Sequence, residues 1–436
     1  MCSQLFDVQN TKILENYFSK LIFKTKFFFI VLLILGSTAV ENIKAQNSTS
    51  KPLQNNGKLT NGNEKDENKS LNLCWQITSD ANSTGLTPTV SATQTLIPLS
   101  NGDLKALNAF DGSQLWISTL GGEIAASPLI TGKTVFVINE VQTEAAKEDA
   151  AATPIPENLK PIKASNQSNE SVIKTFLVRG LSSTTGLTLW QRQFSASSIS
   201  MAKDDSKIFV AVGGLNESST IIALNEKTGA DEWSKNLSSN VFFPVIVESG
   251  LVYLVTKNGF INGFDVKDGT EKTKYKFDKF APTRFTPSSK VLIFGDSSGN
   301  VAAVDASNQQ LLWKLRIGGA TQSFLPTPNG FLIASLDNFV YFQTLLKGKR
   351  LWRRRLAGRP IGGLIFSEKF ALICVSGDDS AMIINLQDGK IAGEAFLGVD
   401  NYAISPPTTN GKFIVVQTAK GLMSFAISQT DCGKPI

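Results

Sequence analysis

The side chains best suited to catalysis are scarce in this chain, and that scarcity narrows its chemistry. Histidine is absent from all 436 residues. A Ser-His-Asp or Cys-His nucleophile, a His-ligated zinc or copper site and a Cys-x-x-Cys-His haem attachment are therefore excluded. General acid-base work near neutral pH would fall to a tuned carboxylate or lysine. The four cysteines, Cys2, Cys74, Cys374 and Cys432, stand too far apart for a zinc knuckle or a dithiol redox motif. Carboxylate pairs such as Asp378-Asp379 fall in turn-like stretches, where carboxylates are ordinarily solvated. No catalytic, cofactor-binding or metal-binding residue is assigned on these grounds. Two patterns remain, one of cations and one of tryptophans.

The cations are unevenly spread. Lysine and arginine total 43 against 37 acids, a formal net charge of +6. Residues 347–359 hold Lys347, Lys349, Arg350, Arg353, Arg354, Arg355 and Arg359 with no acid among them, and the remainder is close to neutral. The plainer reading is a solvated strand edge whose charges deter edge-to-edge pairing. The functional reading is a patch for an acidic partner, lipid phosphates or another polyanion, with arginine supplying two-pronged phosphate contacts. Nucleic acid is not expected, since Trp352 is the sole aromatic interleaved with these charges.

The tryptophans belong to a repeat. Ala-Leu-Asn-Ala-Phe-Asp-Gly-Ser-Gln-Leu-Trp (106–116), Ile-Ala-Leu-Asn-Glu-Lys-Thr-Gly-Ala-Asp-Glu-Trp (222–233) and Ala-Val-Asp-Ala-Ser-Asn-Gln-Gln-Leu-Leu-Trp (303–313) are its best copies. Weaker copies end at Trp190 and Trp352, and two more carry Thr273 and Gly393 in place of the ring. Trp116, Trp190, Trp233, Thr273, Trp313, Trp352 and Gly393 mark a period of about 40 residues, the length of a four-stranded propeller blade. The first interval alone is longer, and it contains an insertion at 142–171 rich in Ala, Glu, Pro, Asn and Ser. Within each copy, apolar alternation suits a strand, the Asp-Gly or Thr-Gly pair suits a tight turn, and the tryptophan lands on the next strand. There its ring can pack between neighbouring blades. The chain is expected to be all-β.

The two ends complete each other. The last copy, Gly-Leu-Met-Ser-Phe-Ala-Ile-Ser (421–428), has no tryptophan strand after it, whereas Leu-Asn-Leu-Cys-Trp-Gln-Ile (71–77) resembles that strand standing alone. Joining them yields eight four-stranded antiparallel blades and a ring without open sheet edges between its ends. Trp75 then joins the other five tryptophans as a blade residue. Cys74 lies on the orphan strand and Cys432 on the tail that should run beside it. Either they form a disulfide clamping first strand to last, or they are two unrelated buried cysteines; location and export favour the bridge. Cys374 reads as a core thiol.

Outside the repeat, residues 27–40 are an apolar or small-residue run preceded by Lys20, Lys24 and Lys26. At 14 residues it is short for a bilayer span, so residues 1–45 read as a secretory signal, with a retained membrane segment as the alternative. Residues 46–71 lack the apolar content to order themselves and read as a tether. The 142–171 insertion reads as a disordered excursion or a binding loop.

The Ala-Leu-Asp-x-x-x-Gly-x-x-x-Trp pattern resembles the repeat of the pyrroloquinoline-quinone (PQQ)-type eight-bladed propellers, with Asn108 and Asn225 standing where the pattern has Asp. The resemblance covers 72–436 and implies the fold, not the function. Quinoprotein dehydrogenases of that superfamily carry a calcium-bound quinone, an adjacent-cysteine disulfide, an Asp base and a tryptophan floor. This chain has no Cys-Cys pair, and its six tryptophans are all taken by blade positions. The non-catalytic outer-membrane assembly (BamB-like) propellers, which bind a partner through their loops, fit better. No lipobox cysteine follows the apolar run, so a lipoprotein anchor is not expected. The sequence thus points to an exported, periplasmic or secreted scaffold without cofactor. It is expected to be a monomeric ring that meets other envelope proteins through its loops and touches the membrane only through an uncleaved N-terminal segment. A PQQ- and calcium-dependent dehydrogenase is the alternative.

Overall fold

The computed structural model describes residues 71–78, 84–141, 173–428 and 432, apart from positions 205, 215–216, 242–243, 278–281, 289 and 329. These fall in one compact unit, Glu64–Ile436. The leader or membrane segment (1–45), the tether up to residue 70 and nearly all of the insertion (142–171) lie outside the described residues.

Every regular element among the described residues is a strand, and the strands pair into eight antiparallel sheets of four. Seven sheets are consecutive in sequence. Blades 1 to 7 occupy residues 89–119, 129–196, 198–237, 246–276, 282–316, 321–355 and 360–396. Blade 8 takes Thr408–Thr409, Phe413–Thr418 and Gly421–Ala426 from the C-terminal end and Asn72–Thr78 from the N-terminal end. Asn72–Thr78 runs antiparallel to Gly421–Ala426, with Trp75 opposite Ser424. The eight-bladed propeller and its composite last blade are therefore as the repeat implies.

Burial follows position within a blade. The first strands of blades 3 to 7 touch in succession, as do those of blades 8 and 1, so the first strands lie toward the axis. Second strands such as Val291–Asp296, Gly330–Ser335, Phe370–Val375 and Phe413–Thr418 are buried at every position. Sheets cover them on both faces, so they read as continuous apolar runs instead of alternating ones. Outer strands alternate, as in Leu311–Arg316 and Arg350–Arg355. The core is a series of inter-blade seams: Ile293, Val301 and Ala303 of blade 5 pack with Phe331, Ile333 and Tyr341 of blade 6. Each fully buried large side chain there, such as Ile293 or Phe331, contributes about 1.5–3 kcal/mol.

The repeat's tryptophan and glycine form one device that joins adjacent blades. Each indole N–H donates to a backbone carbonyl of the next blade: Trp75 to Ala109, Trp116 to Ser183, Trp190 to Glu226, Trp233 to Val266, Trp313 to Leu345 and Trp352 to Leu386. The ring lies on the turn of that blade, where a Cβ on Gly348 would fall 2.5 Å from the Trp313 ring. Gly348 also has φ +59°, so glycine is needed there for both space and backbone. Of the two positions without a ring, Thr273 and Gly393, the first explains the rule. Its hydroxyl donates to the Ala306 carbonyl at 3.4 Å, standing in for an indole, and the glycine position of blade 5 is then occupied by Gln309 at φ 61°. With no ring to receive, the turn has room for a side chain.

Candidate interaction surfaces

The basic run divides according to strand geometry. Lys347 and Lys349 lie on the turn that leads into the outer strand of blade 6, Arg350–Arg355 forms that strand, and Arg359 lies beyond its far end, so the run spans the whole rim of the blade. Trp352 and Arg354 share the face toward blade 7, where Arg354 Nε donates to the Gly389 carbonyl at 2.6 Å. Arg192, likewise two residues after its tryptophan, donates to the Gly229 carbonyl at 2.8 Å. Arg354 is thus partly a blade-joining residue. Arg353 and Arg355 occupy the opposite face and are exposed, with the Arg353 guanidinium 5.2 Å over the Phe339 ring. Lys347, Lys349, Arg350 and Arg359 are also exposed, and no cation of the run is paired with a carboxylate among the described residues.

Cys74 and Cys432 are joined, with Cα atoms 5.0 Å apart across a sequence separation of 358. Cys374 is fully buried in blade 7. Burial pushes its thiol up to about 12, which keeps it protonated and unreactive at neutral pH.

A second surface carries no mark in the repeat pattern. The loop from the outer strand of blade 7 to blade 8 exposes Phe396 (59%), Val399 (68%) and Tyr402 (41%) around a nearly sealed Asn401 (2%). Asn401 Nδ2 donates to the Leu397 carbonyl at 2.6 Å, and its Oδ1 accepts from Lys420 N at 2.9 Å. Lys420 Nζ donates to the Val399 carbonyl at 2.7 Å, and Ala419 N to the Tyr402 carbonyl at 2.9 Å. The loop is therefore tied to the hairpin of blade 8 and holds its apolar side chains outward. The only available signal was compositional: the equivalent stretch after blade 5 reads Gly318-Gly319-Ala320, whereas this one carries two aromatics. A third feature is a cleft of about 610 Å³ where blade 3 meets blade 4, lined by polar groups such as Lys235, Asn236, Asn258, Asn262 and Glu271. Its walls come from separate repeats, so no local motif announces it.

The quinone alternative needs a tryptophan bed at the axis. All six rings instead lie on turns between blades, engaged through their N–H groups, and these residues do not supply that bed. Among the described residues no group of three or more Cys, Asp or Glu converges as a metal site would require.

Fold, repeat and inter-blade tryptophans together define a PQQ-type eight-bladed β-propeller. The chain belongs to the family of the outer membrane protein assembly factor BamB, whose model matches residues 68–152 and 174–324. The BamB of Yersinia pestis is 23% identical over 284 residues, covering 59% of this chain and 70% of the relative. That of Moranella endobia is 24% identical over 209 residues, 41% of this chain and only 53% of the relative. The crystal structure of BamB from Moraxella catarrhalis superposes with a TM-score of 0.59 at 14% identity, covering 83% of this chain and 99% of that one. The computationally designed Ika8 protein gives a TM-score of 0.60 at 13% identity, over 82% and 100% respectively. The last two likenesses concern the fold alone; a designed protein matches as well as a natural relative.

Proposed function

We propose that this protein is an exported, non-catalytic propeller that docks other envelope proteins through its loops, as an accessory of outer-membrane protein assembly. Family membership supports the assembly setting, and the scarcity of acid-base and ligating groups supports a binding role over a catalytic one. The observation that carries the docking reading is the 396–402 loop. Exposed large apolar side chains close together in sequence, Phe396 at the strand end and Val399 and Tyr402 on the tied loop that follows, are costly in water and typical of an interface centre. Asn401 fixes the loop in advance, so little conformational entropy is lost on binding. The partner this loop suits is a protein with a complementary apolar patch, and the ring works as a monomer.

A photo-crosslinking residue at Val399 in the full chain, expressed in a bacterial envelope, tests this. The expected result is a discrete adduct with an envelope protein that disappears when Phe396→Ser and Tyr402→Ser are added. The same crosslinker at Leu115, on the rim of blade 1, should not give that adduct. Absence of any adduct at Val399, or the same products from both positions, overturns the reading.

A further inference from the structure

We propose that the outer rim of blades 4 to 6 is a docking surface for an anionic lipid bilayer, separate from the loop assigned to protein partners. The outer strands of these three consecutive blades, Glu271–Lys276, Leu311–Arg316 and Arg350–Arg355, carry nine cations and one carboxylate. That carboxylate, Glu271, accepts a hydrogen bond from Asn262 Nδ2 at 2.6 Å. The outer strands of the other five blades carry two cations and three carboxylates between them. The asymmetry is positional as well as numerical. Counting from the tryptophan position of each blade, the first and third following residues share the face turned away from the inter-blade seam. In blades 4, 5 and 6 those two places are Lys274 and Lys276, Lys314 and Arg316, Arg353 and Arg355, all exposed. In blades 1, 2 and 3 they are Ile117 and Thr119, Gln191 and Gln193, Ser234 and Asn236, and in blade 7 Glu394 and Phe396.

Edge protection does not account for this. Five outer strands do without these cations, so guarding a strand edge does not demand them. Of the nine, Arg354 shares the seam-facing side with Trp352, and these two make the bonds to blade 7, whereas Arg353 and Arg355 lie on the other face. What the six positions share is exposed positive charge at equivalent places on three consecutive blades of the eight. Exposed leucines occur on several outer strands, Leu115 on blade 1 and Leu189 on blade 2 among them, but only on blades 5 and 6 do they stand beside these cations, as Leu311, Leu312, Leu346 and Leu351. Cations interleaved with projecting apolar side chains match the interfacial layer of a bilayer, where phosphates meet ammonium and guanidinium groups and leucines reach the acyl boundary. An acidic protein segment would satisfy the charges alone, whereas a bilayer interface also takes up the leucines that stand beside them on blades 5 and 6.

Hydrogen exchange on the full chain with vesicles tests this by position, so that association through the N-terminal segment is told apart from association through the rim. Vesicles of phosphatidylcholine with phosphatidylglycerol should slow amide exchange in 271–276, 311–316 and 350–355, but not in 114–119 or 188–196. Phosphatidylcholine alone should not slow it, and 1 M salt should abolish the effect, because screening then acts within about 3 Å. Each surface cation contributes roughly fivefold to such partitioning, so reversing Lys314, Arg316, Arg353 and Arg355 to Glu should lower it at least about a hundredfold. Replacing the same four with Gln should weaken it less. Reversing Lys133, Lys227, Lys369 and Lys412, exposed on other blades, changes the net charge equally and should leave the rim protection in place. Protection that is absent, spread evenly around the ring, or lost equally in the second set overturns the proposal. Protection by polyglutamate but not by vesicles overturns it in favour of an acidic protein segment.

Discussion

At the scale of single residues, the sequence departs from its repeat pattern where the physics permits. The pattern's Asp is replaced by Asn108, Asn225 and Asn385, yet each turn keeps its bond. Asn108 Oδ1 accepts from Phe110 N, Asn225 Oδ1 from Lys227 N and Asn385 Oδ1 from Gln387 N, as Asp265 and Asp305 accept from Lys267 N and Ser307 N. The turn needs an acceptor two residues before a free amide, and amide and carboxylate both provide one. Cys374 obeys a stricter constraint. It packs in the seam between blades 7 and 8 beside Leu372 and Ile383, with nothing to stabilise a thiolate. Alkylation at pH 8 followed by peptide mass spectrometry should find Cys374 unmodified in the native protein and fully modified in denaturant. Rapid modification under native conditions would show that the seam opens readily.

At the scale of elements, the unit that matters is the pairing of one blade's tryptophan with the next blade's turn. This pairing explains why most of the fold was legible in the sequence. The period, the turn glycines and the ring positions are local signals, and their physical causes act at each blade separately. The same locality hid the rest: the basic rim needs three repeats compared at equivalent positions, and Asn401 works only because Lys420 lies beside it in space. The Thr273 and Gln309 pair offers a direct test of the docking unit. Gln309 adopts a left-handed backbone that costs a non-glycine residue roughly 1–2 kcal/mol. Gln309→Gly relieves that strain but gains chain entropy in the unfolded state, so alone it should change stability by no more than about 1 kcal/mol. Thr273→Trp alone should destabilise by about 1–3 kcal/mol, because the ring meets the Gln309 side chain. The double variant should be more stable than the sum of the two changes by at least about 1 kcal/mol in denaturant titrations. Additive effects would show that ring and glycine do not act as a pair.

At the scale of the whole molecule, the ring holds only as well as its closure, and the closure rests on the seven-residue strand Asn72–Thr78. Three fastenings of different kinds converge on it. Its backbone pairs with Gly421–Ala426, Trp75 donates its N–H to the Ala109 carbonyl of blade 1 at 2.9 Å, and Cys74 is bridged to Cys432. Blade 8 also meets blade 1 directly, through Asn410 Nδ2 on the Ser91 carbonyl and the edge-on rings of Phe110 and Phe413. The bridge differs from the rest because it acts on the unfolded chain, closing a loop nearly the length of the propeller, an effect worth about 2–5 kcal/mol. Cys432→Ser should therefore lower the denaturation midpoint while leaving the circular dichroism of the native state unchanged. Within the folded ring, the loss should be felt first at the strand it fastened. Amides of 72–78 should exchange earlier than those of 413–418, and early proteolysis should cut beside this strand. Reductant should do the same to the parent protein and nothing further to the variant. If reduction leaves the parent's midpoint where it was, strand pairing and Trp75 close the ring by themselves, and the bridge contributes nothing to its stability.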